Sequence, residues 1–280
     1  MKFKIIADSS ADLNKLEGVP FTSAPLKINT AEKEYVDDAN LNVEKMVDEL
    51  QNYKGKSRTA CPSPAEWENA FEDAENIFCV PITSGLSGSY NAARVAKDSY
   101  EEEFPGRRVS IIDTLSAGPE LQLIIEKIKE QITLGKTFEE INKVVNEYKE
   151  KTGLLFMLAS MKNLANNGRV NPLVAKAVGL LGIRIVGKAS EKGDLDPLDK
   201  CRGEKRALSC IFDNMNKLGF KGGKVKIGHV GNETAAHSLK QIILSKFENT
   251  DIEIYPTRGL CSFYAEKGGL LVGFEKADAI

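Results

Sequence analysis

Histidine and cysteine, the usual ligands of zinc sites, are scarce in this chain of 280 residues, which has two histidines and five cysteines. No two cysteines form a Cys-x-x-Cys pair, and structural metal sites usually need such close spacing. We therefore expect no metal site. An odd number of scattered cysteines also favours free thiols over disulfides, and hence a cytoplasmic location. The five are Cys61, Cys79, Cys201, Cys210 and Cys261.

The chain also lacks long apolar runs and a strong charge of either sign. No window approaches the roughly 18 apolar residues of a membrane helix, and the apolar stretch near the start is too short for a signal peptide. The 38 basic residues nearly balance the 40 acidic ones, which gives a net charge of −2. This balance argues against nucleic acid as a partner, because nucleic-acid-binding proteins favour a basic face.

Short apolar strands alternate with amphipathic helices in the first half of the chain. The pattern predicts strands at 3–7, 77–82 and 109–112, and helices at 43–53, 88–103, 120–132 and 138–148. This alternation is typical of βαβ units around a mostly parallel sheet.

The second half has a more antiparallel pattern. A turn at Gly193-Asp194 follows an apolar run at 183–186, which predicts a hairpin. Further strands are expected at 154–158, 224–227, 252–255 and 270–274, and helices at 204–218 and 233–247. We predict an α/β protein of two α/β domains. Residues 1–155 would hold a mostly parallel sheet, and residues 156–280 a mixed or antiparallel sheet with helices.

The loop after the strand at 77–82 is the strongest candidate for a ligand site. It carries four hydroxyls and two glycines in the sequence Thr83-Ser84-Gly85-Leu86-Ser87-Gly88-Ser89, and a helix follows it. One hydroxyl is enough to cap a helix. A loop at the start of a helix presents backbone N–H groups and a positive dipole end. We therefore predict that this loop holds an anion or an oxyanion.

The loop could hold either a phosphate or a carboxylate. A phosphate site would usually add a lysine, as in a P-loop, or the G-x-G-x-x-G pattern, and the loop has neither. Neutral hydroxyls and amides suit a carboxylate better.

A serine hydrolase or acyl transferase that uses Ser84 or Ser87 is the alternative, because residues 85–89 nearly match the G-x-S-x-G nucleophile elbow. Such an enzyme needs a histidine base, and His229, at the end of a predicted strand, is a weak candidate.

Other polar junctions are interpreted as helix caps. Ser63 followed by Pro64 fits an N-cap and the first helical position. Ser9 and Ser10 follow the first strand, and Thr114 and Ser116 follow the strand at 109–112; we expect capping roles for all four.

Several short motifs, taken together, resemble the DegV family along nearly the whole chain. They are Asp8-Ser9-Ser10-Ala11-Asp12-Leu13, Thr59-x-x-Pro62-Ser63, Ser84-Gly85-Leu86-Ser87-Gly88-Ser89-Tyr90, Asp113-Thr114, Asn167-Gly168-Arg169-Val170 and Arg202-Gly203-x-x-Arg206-Ala207.

The resemblance implies a lipid-binding protein rather than an enzyme. DegV proteins hold a long-chain fatty acid in a closed apolar tunnel, and some present its carboxylate to a fatty-acid kinase for acyl-phosphate formation and phospholipid synthesis. The first domain would then carry the head-group loops, and the second would close over the ligand. No cofactor other than the bound fatty acid is implied. A carrier for another amphipathic carboxylate is a further alternative.

The resemblance also assigns roles to particular residues. Thr59 and Ser84 match the positions whose hydroxyls bind the carboxylate, and Ser87 and Gly88 would support them. Arg169 and Arg206 match basic positions that would meet the kinase or its phosphate-bearing partner. For the tunnel walls, the candidates are the helix at 120–132 and the run at 173–185.

The chain departs from the DegV pattern at three places. The family usually has Thr-Ser-Gln-Pro where this chain has Thr59-Ala60-Cys61-Pro62, and a Lys-Pro pair is missing near residues 181–185. Tyr264 falls where the family commonly has a histidine. A phenol can still donate a hydrogen bond to a carboxylate, but it stays neutral near pH 7.

Overall fold

A computed structural model describes residues 2–172 and 182–277. Within them the strands are β1 (Phe3–Asp8), β2 (Phe21–Ala24), β3 (Lys27–Asn29), β4 (Glu34–Val36), β5 (Arg58–Ala60), β6 (Asn76–Val80), β7 (Arg108–Ile111), β8 (Thr152–Leu158), β9 (Ile183–Ala189), β10 (Leu195–Arg202), β11 (Lys224–His229), β12 (Asp251–Pro256) and β13 (Leu270–Glu275). The helices are α1 (Val43–Asn52), α2 (Pro64–Phe71), α3 (Ser89–Glu103), α4 (Pro119–Thr133), α5 (Phe138–Lys149), α6 (Lys162–Asn166), α7 (Glu204–Lys217), α8 (Glu233–Leu244) and α9 (Gly259–Ala265).

The first sheet is parallel, as the sequence predicts. Its strand order is β2-β1-β6-β7, and every neighbouring pair runs in the same direction. Its middle strands are apolar on both faces, since β6 is buried along its whole length. Such strands need helices on both sides, which is the reason for the βαβ alternation.

The second sheet is mixed, which is also confirmed. Its strand order is β10-β9-β8-β13-β11-β12. Strands β9 and β10 form the predicted hairpin. Strands β11 and β12 are parallel, and the other described pairs of this sheet are antiparallel. The predicted boundary after residue 155 falls inside β8, a strand of this sheet. The division of the chain into two domains stays a prediction.

The sequence patterns did not predict β2, α6, a third sheet or α9. A small antiparallel sheet of order β4-β3-β5 has three residues in each strand, too few to show a period. The seven-residue helix α9 is nearly all buried, so it shows no amphipathic face.

Helix α4 lies between the two larger sheets. Leu121, Ile124, Ile125 and Ile128 pack into the core of the first sheet, and the helix also contacts β13, β11 and β8. A helix with both sides covered must be apolar around most of its surface, which explains its run of buried residues. None of the described helices is long and apolar enough to cross a bilayer.

The predicted helix caps are confirmed at one place and wrong at another. Ser63 caps α2 with Pro64 in its first turn, and Glu66 completes a capping box. Helix α4 instead begins after Gly118 with no side-chain cap, so capping by Thr114 and Ser116 is wrong. Both residues are buried, and neither side chain makes a capping hydrogen bond to the start of the helix.

The capping roles of Ser9 and Ser10 are also wrong. Both residues form the 3-10 turn that follows β1, and Asp8 caps this turn by accepting a hydrogen bond from the Ser10 N–H. An aspartate at the end of the strand already occupies the position from which a side chain can reach the free amides.

Candidate ligand-binding site

A cavity lies between the first sheet and the second. Its unfilled space, counted together with the space at its mouth, is about 720 Å³. Most lining side chains are apolar and come from both halves of the chain. They include Leu26, Ile82 and Leu86 from the first half, Leu154, Phe156 and Leu158 on β8, and Leu260, Cys261 and Ala265 on α9.

The helix at 120–132, which the sequence offered as a tunnel wall, does not serve as one, and residues 182–185 of the second candidate run do not line the cavity either. No residue of 120–132 lines the cavity, because the apolar side chains of α4 pack against the two larger sheets. Residues 173–181 lie outside the described part of the chain. The described walls come mainly from β8, α9 and the loops at the ends of the first sheet's strands, with single residues from β5, α6, β10 and β13.

The polar end of the cavity is built around Thr59 and Tyr264. The Thr59 Oγ1 lies 2.7 Å from the Tyr264 hydroxyl oxygen, and either can donate the hydrogen bond. Burial raises the pKa of Tyr264, although the Thr59 bond and the positive charge of Arg169 act to lower it. The phenol therefore stays protonated at neutral pH and can donate to Thr59 or to a ligand.

Arg169 and Ser87 complete this end. The Arg169 Nε donates to the carbonyl of Leu86 over 3.2 Å, and both Arg169 and Ser87 line the cavity. The Arg169 guanidinium is thus anchored beside the hydroxyl-rich loop. A fixed cation among hydroxyls favours an anionic group at this end of an otherwise apolar space.

The four hydroxyls of the 83–89 loop have different tasks. Thr83 is buried and donates to the Gly193 carbonyl at 3.0 Å, and Ser89 donates to Asp8 at 2.6 Å. Ser84 is exposed and does not line the cavity, while Ser87 does. Because two of the hydroxyls hold the fold together, their number alone overstated the case for a ligand.

The buried carboxylate of Asp8 holds both ends of the 83–89 loop through hydrogen bonds. One of its oxygens accepts from the Ile82 N–H at 2.9 Å and from Ser89, and the other accepts from the Ser10 N–H and hydroxyl. Burial raises the pKa of this carboxyl, and the four hydrogen bonds oppose that shift. The carboxylate joins the ends of β1 and β6 to the start of α3, and so holds Ser87 in place.

Helix α9 is held by an aspartate from the first half of the chain. Asp37, which is fully buried, accepts the N–H groups of Gly259 and Leu260, each at 2.8 Å. These groups are the free donors of the helix start. No sequence signal pointed to Asp37, because it lies 222 positions from Gly259.

The structure brings together only some of the residues predicted for the site. Thr59, Ser87, Tyr264 and Arg169 line the cavity. Gly88 lies within the loop, near Cys61, and does not line the cavity. Ser84 is exposed. Arg206 is exposed on α7, away from the described lining. The roles assigned to these residues stay predictions.

The geometry offers no support for a serine hydrolase. His229 Nδ1 accepts the Asn232 N–H at 3.4 Å, and burial lowers its pKa. His237 is exposed. Neither histidine lines the cavity with Ser87, so the base required by a triad is missing from the described lining.

The fold and the site define an α/β protein that encloses an apolar cavity with a hydroxyl-rich, cationic end. The chain belongs to the DegV family, whose model matches residues 2–277. A DegV domain-containing protein of Streptococcus pneumoniae is 45% identical over 279 residues, which cover 98% of this chain and 99% of that one.

Two solved structures are similar over nearly the full length. The Fatty Acid Kinase (Fak) B3 protein of Streptococcus pneumoniae, loaded with linoleic acid, has a TM-score of 0.97 and 45% identity, covering 99% of this chain and 100% of that one. A DegV family protein of Eubacterium eligens, loaded with heptadecanoic acid, has a TM-score of 0.96 and 41% identity, covering 98% and 100%.

Proposed function

We propose that this protein binds a long-chain fatty acid in the cavity between its sheets, with the carboxylate at the end formed by Thr59, Ser87, Arg169 and Tyr264. The observation that carries the proposal is the shape of the site: one apolar cavity with its polar lining gathered at one end. Two relatives with the same fold were crystallised with fatty acids.

The energetics suit this ligand. Burying each methylene contributes about 0.8 kcal/mol, so the acyl tail supplies most of the affinity. The hydroxyls and the arginine then select a carboxylate and set its direction. Ser84, which the family resemblance places on the carboxylate, is exposed and does not line the cavity.

We also propose that the protein presents the bound acid to a fatty-acid kinase and is not itself the catalyst. The kinship with the Fak B3 protein supports a kinase partner. A cytoplasmic location fits the partnership, because the kinase would draw its phosphoryl donor there. Arg206, exposed on α7, is available to a partner rather than to the ligand.

Native mass spectrometry of the freshly purified protein, followed by identification of the released molecule, tests the binding proposal. A fatty acid in one-to-one ratio is expected. Ala117 lines the cavity, so Ala117→Phe should fill the space and purify without the ligand. A bare wild-type protein that takes up no added fatty acid contradicts the proposal, and a different bound carboxylate would make the protein another kind of carrier.

A further inference from the structure

Strand β8 runs along the floor of the cavity. Leu154, Phe156 and Leu158 alternate along the strand and all line the cavity, while Leu155 and Met157 face the opposite core. At about 3.3 Å per residue, Leu154 and Leu158 are about 13 Å apart along the strand. The cavity therefore has a long axis that β8 follows.

The two ends of this axis differ. Leu158 packs in one cluster with Leu164 and Tyr264, so it lies near the polar end. Leu154, at the other end of the lining stretch of β8, belongs to none of the described clusters against which Tyr264 packs, and we infer that the tail of a ligand held at Thr59 finishes there. The Phe156 ring between them is seated against Gly187, where a Cβ would come within 2.3 Å of it.

A second cavity begins on the other side of Leu154. It is polar, with Lys149, Lys188, Glu120 and Thr152 among its lining residues. Glu120 is buried and accepts a hydrogen bond from Thr152 at 2.7 Å. Among the described residues, Leu154 is the one that lines both cavities, and it is 5% exposed.

We propose that Leu154 is the wall that sets the longest acyl chain this protein accepts. The proposal rests on the fatty-acid-binding function proposed above. A chain that stops at Leu154 keeps every methylene among apolar side chains. A longer chain would push its end past Leu154 toward lysines and a buried carboxyl, which lose their solvation without gaining a partner.

Competition among straight-chain saturated acids from about 12 to about 22 carbons, read by native mass spectrometry, tests this wall. In the wild type, affinity should rise about fourfold per added methylene and then stop rising at one length. Leu154→Ala should move that length upward by about two carbons. Leu154→Phe should move it downward.

Leu158→Ala is the matched control on the same strand. It should weaken all acids without moving the preferred length. An unchanged preferred length in both Leu154 variants, when thermal unfolding shows them folded, overturns the proposal while leaving fatty-acid binding intact. A wild type that binds none of the acids overturns both.

Discussion

The Thr59 hydroxyl and the Tyr264 hydroxyl lie 2.7 Å apart although 205 positions separate them in the chain. Thr59 is on β5 of the small antiparallel sheet, and Tyr264 is on α9. Asp37 brings the two together, because it holds the start of α9 against the first half of the chain. The polar end of the cavity is thus a junction between distant segments.

Removing the Tyr264 hydroxyl should weaken ligand binding without unfolding the protein. Tyr264→Phe keeps the ring and deletes a hydrogen bond worth about 1 kcal/mol, so fatty-acid affinity should fall about fivefold. Isothermal titration with the acid found in the purified protein measures this. Tyr148→Phe is the control, since the Tyr148 hydroxyl donates to Glu275 and does not line the cavity. Equal losses in the two variants would contradict a head-group role for Tyr264.

Substitutions of Thr59 and Ser84 should have different effects on fatty-acid affinity. Thr59→Val removes a hydroxyl that lines the cavity and should weaken binding about five- to tenfold. Ser84→Ala changes an exposed residue and should alter affinity by less than about twofold. The same titration measures both. A loss with Ser84→Ala as large as that with Thr59→Val would show that Ser84 reaches the carboxylate.

The stability of the protein should depend on pH through Asp12. This side chain accepts the Arg258 N–H at 2.7 Å, and burial, aided by the charge of Asp37, raises its pKa from 3.8 to about 8. The folded protein therefore keeps a proton that the unfolded chain releases. The resulting stabilisation is full below about pH 4 and is lost as the pH rises to about 8.

Thermal unfolding of the wild type and of Asp12→Asn between about pH 4 and pH 9 measures this effect. The amide cannot titrate and keeps an acceptor for Arg258. The melting temperature of the wild type should fall relative to that of the variant as the pH rises. Asp98→Asn, at an exposed position, should follow the wild type. A constant gap between the wild type and Asp12→Asn would exclude this role for Asp12.

Local sequence patterns predicted most of the regular elements. The parallel strands β1, β6 and β7 and the helices α3 and α4 were found at nearly their observed bounds, because periodic apolar residues are set by which face each element buries. The capping box at Ser63 was also readable, since its partners lie within one helical turn.

The candidate site was only partly readable from the chain. The motifs pointed to Thr59, Ser87, Arg169 and Tyr264, and the structure gathers these around one cavity. They could not show that Thr83 and Ser89 serve the fold, because their partners, Gly193 and Asp8, are 110 and 81 positions away.

By itself, the sequence determined the α/β class, most of the helices and strands, and the family, since these depend on local periodicity and on short motifs. Only the tertiary structure decided which side chains face the cavity, that α4 fills the core instead of lining a tunnel, and that Leu154 divides an apolar space from a polar one. The reason is physical: burial and cavity shape arise from packing between segments far apart in the chain, and no local pattern records it.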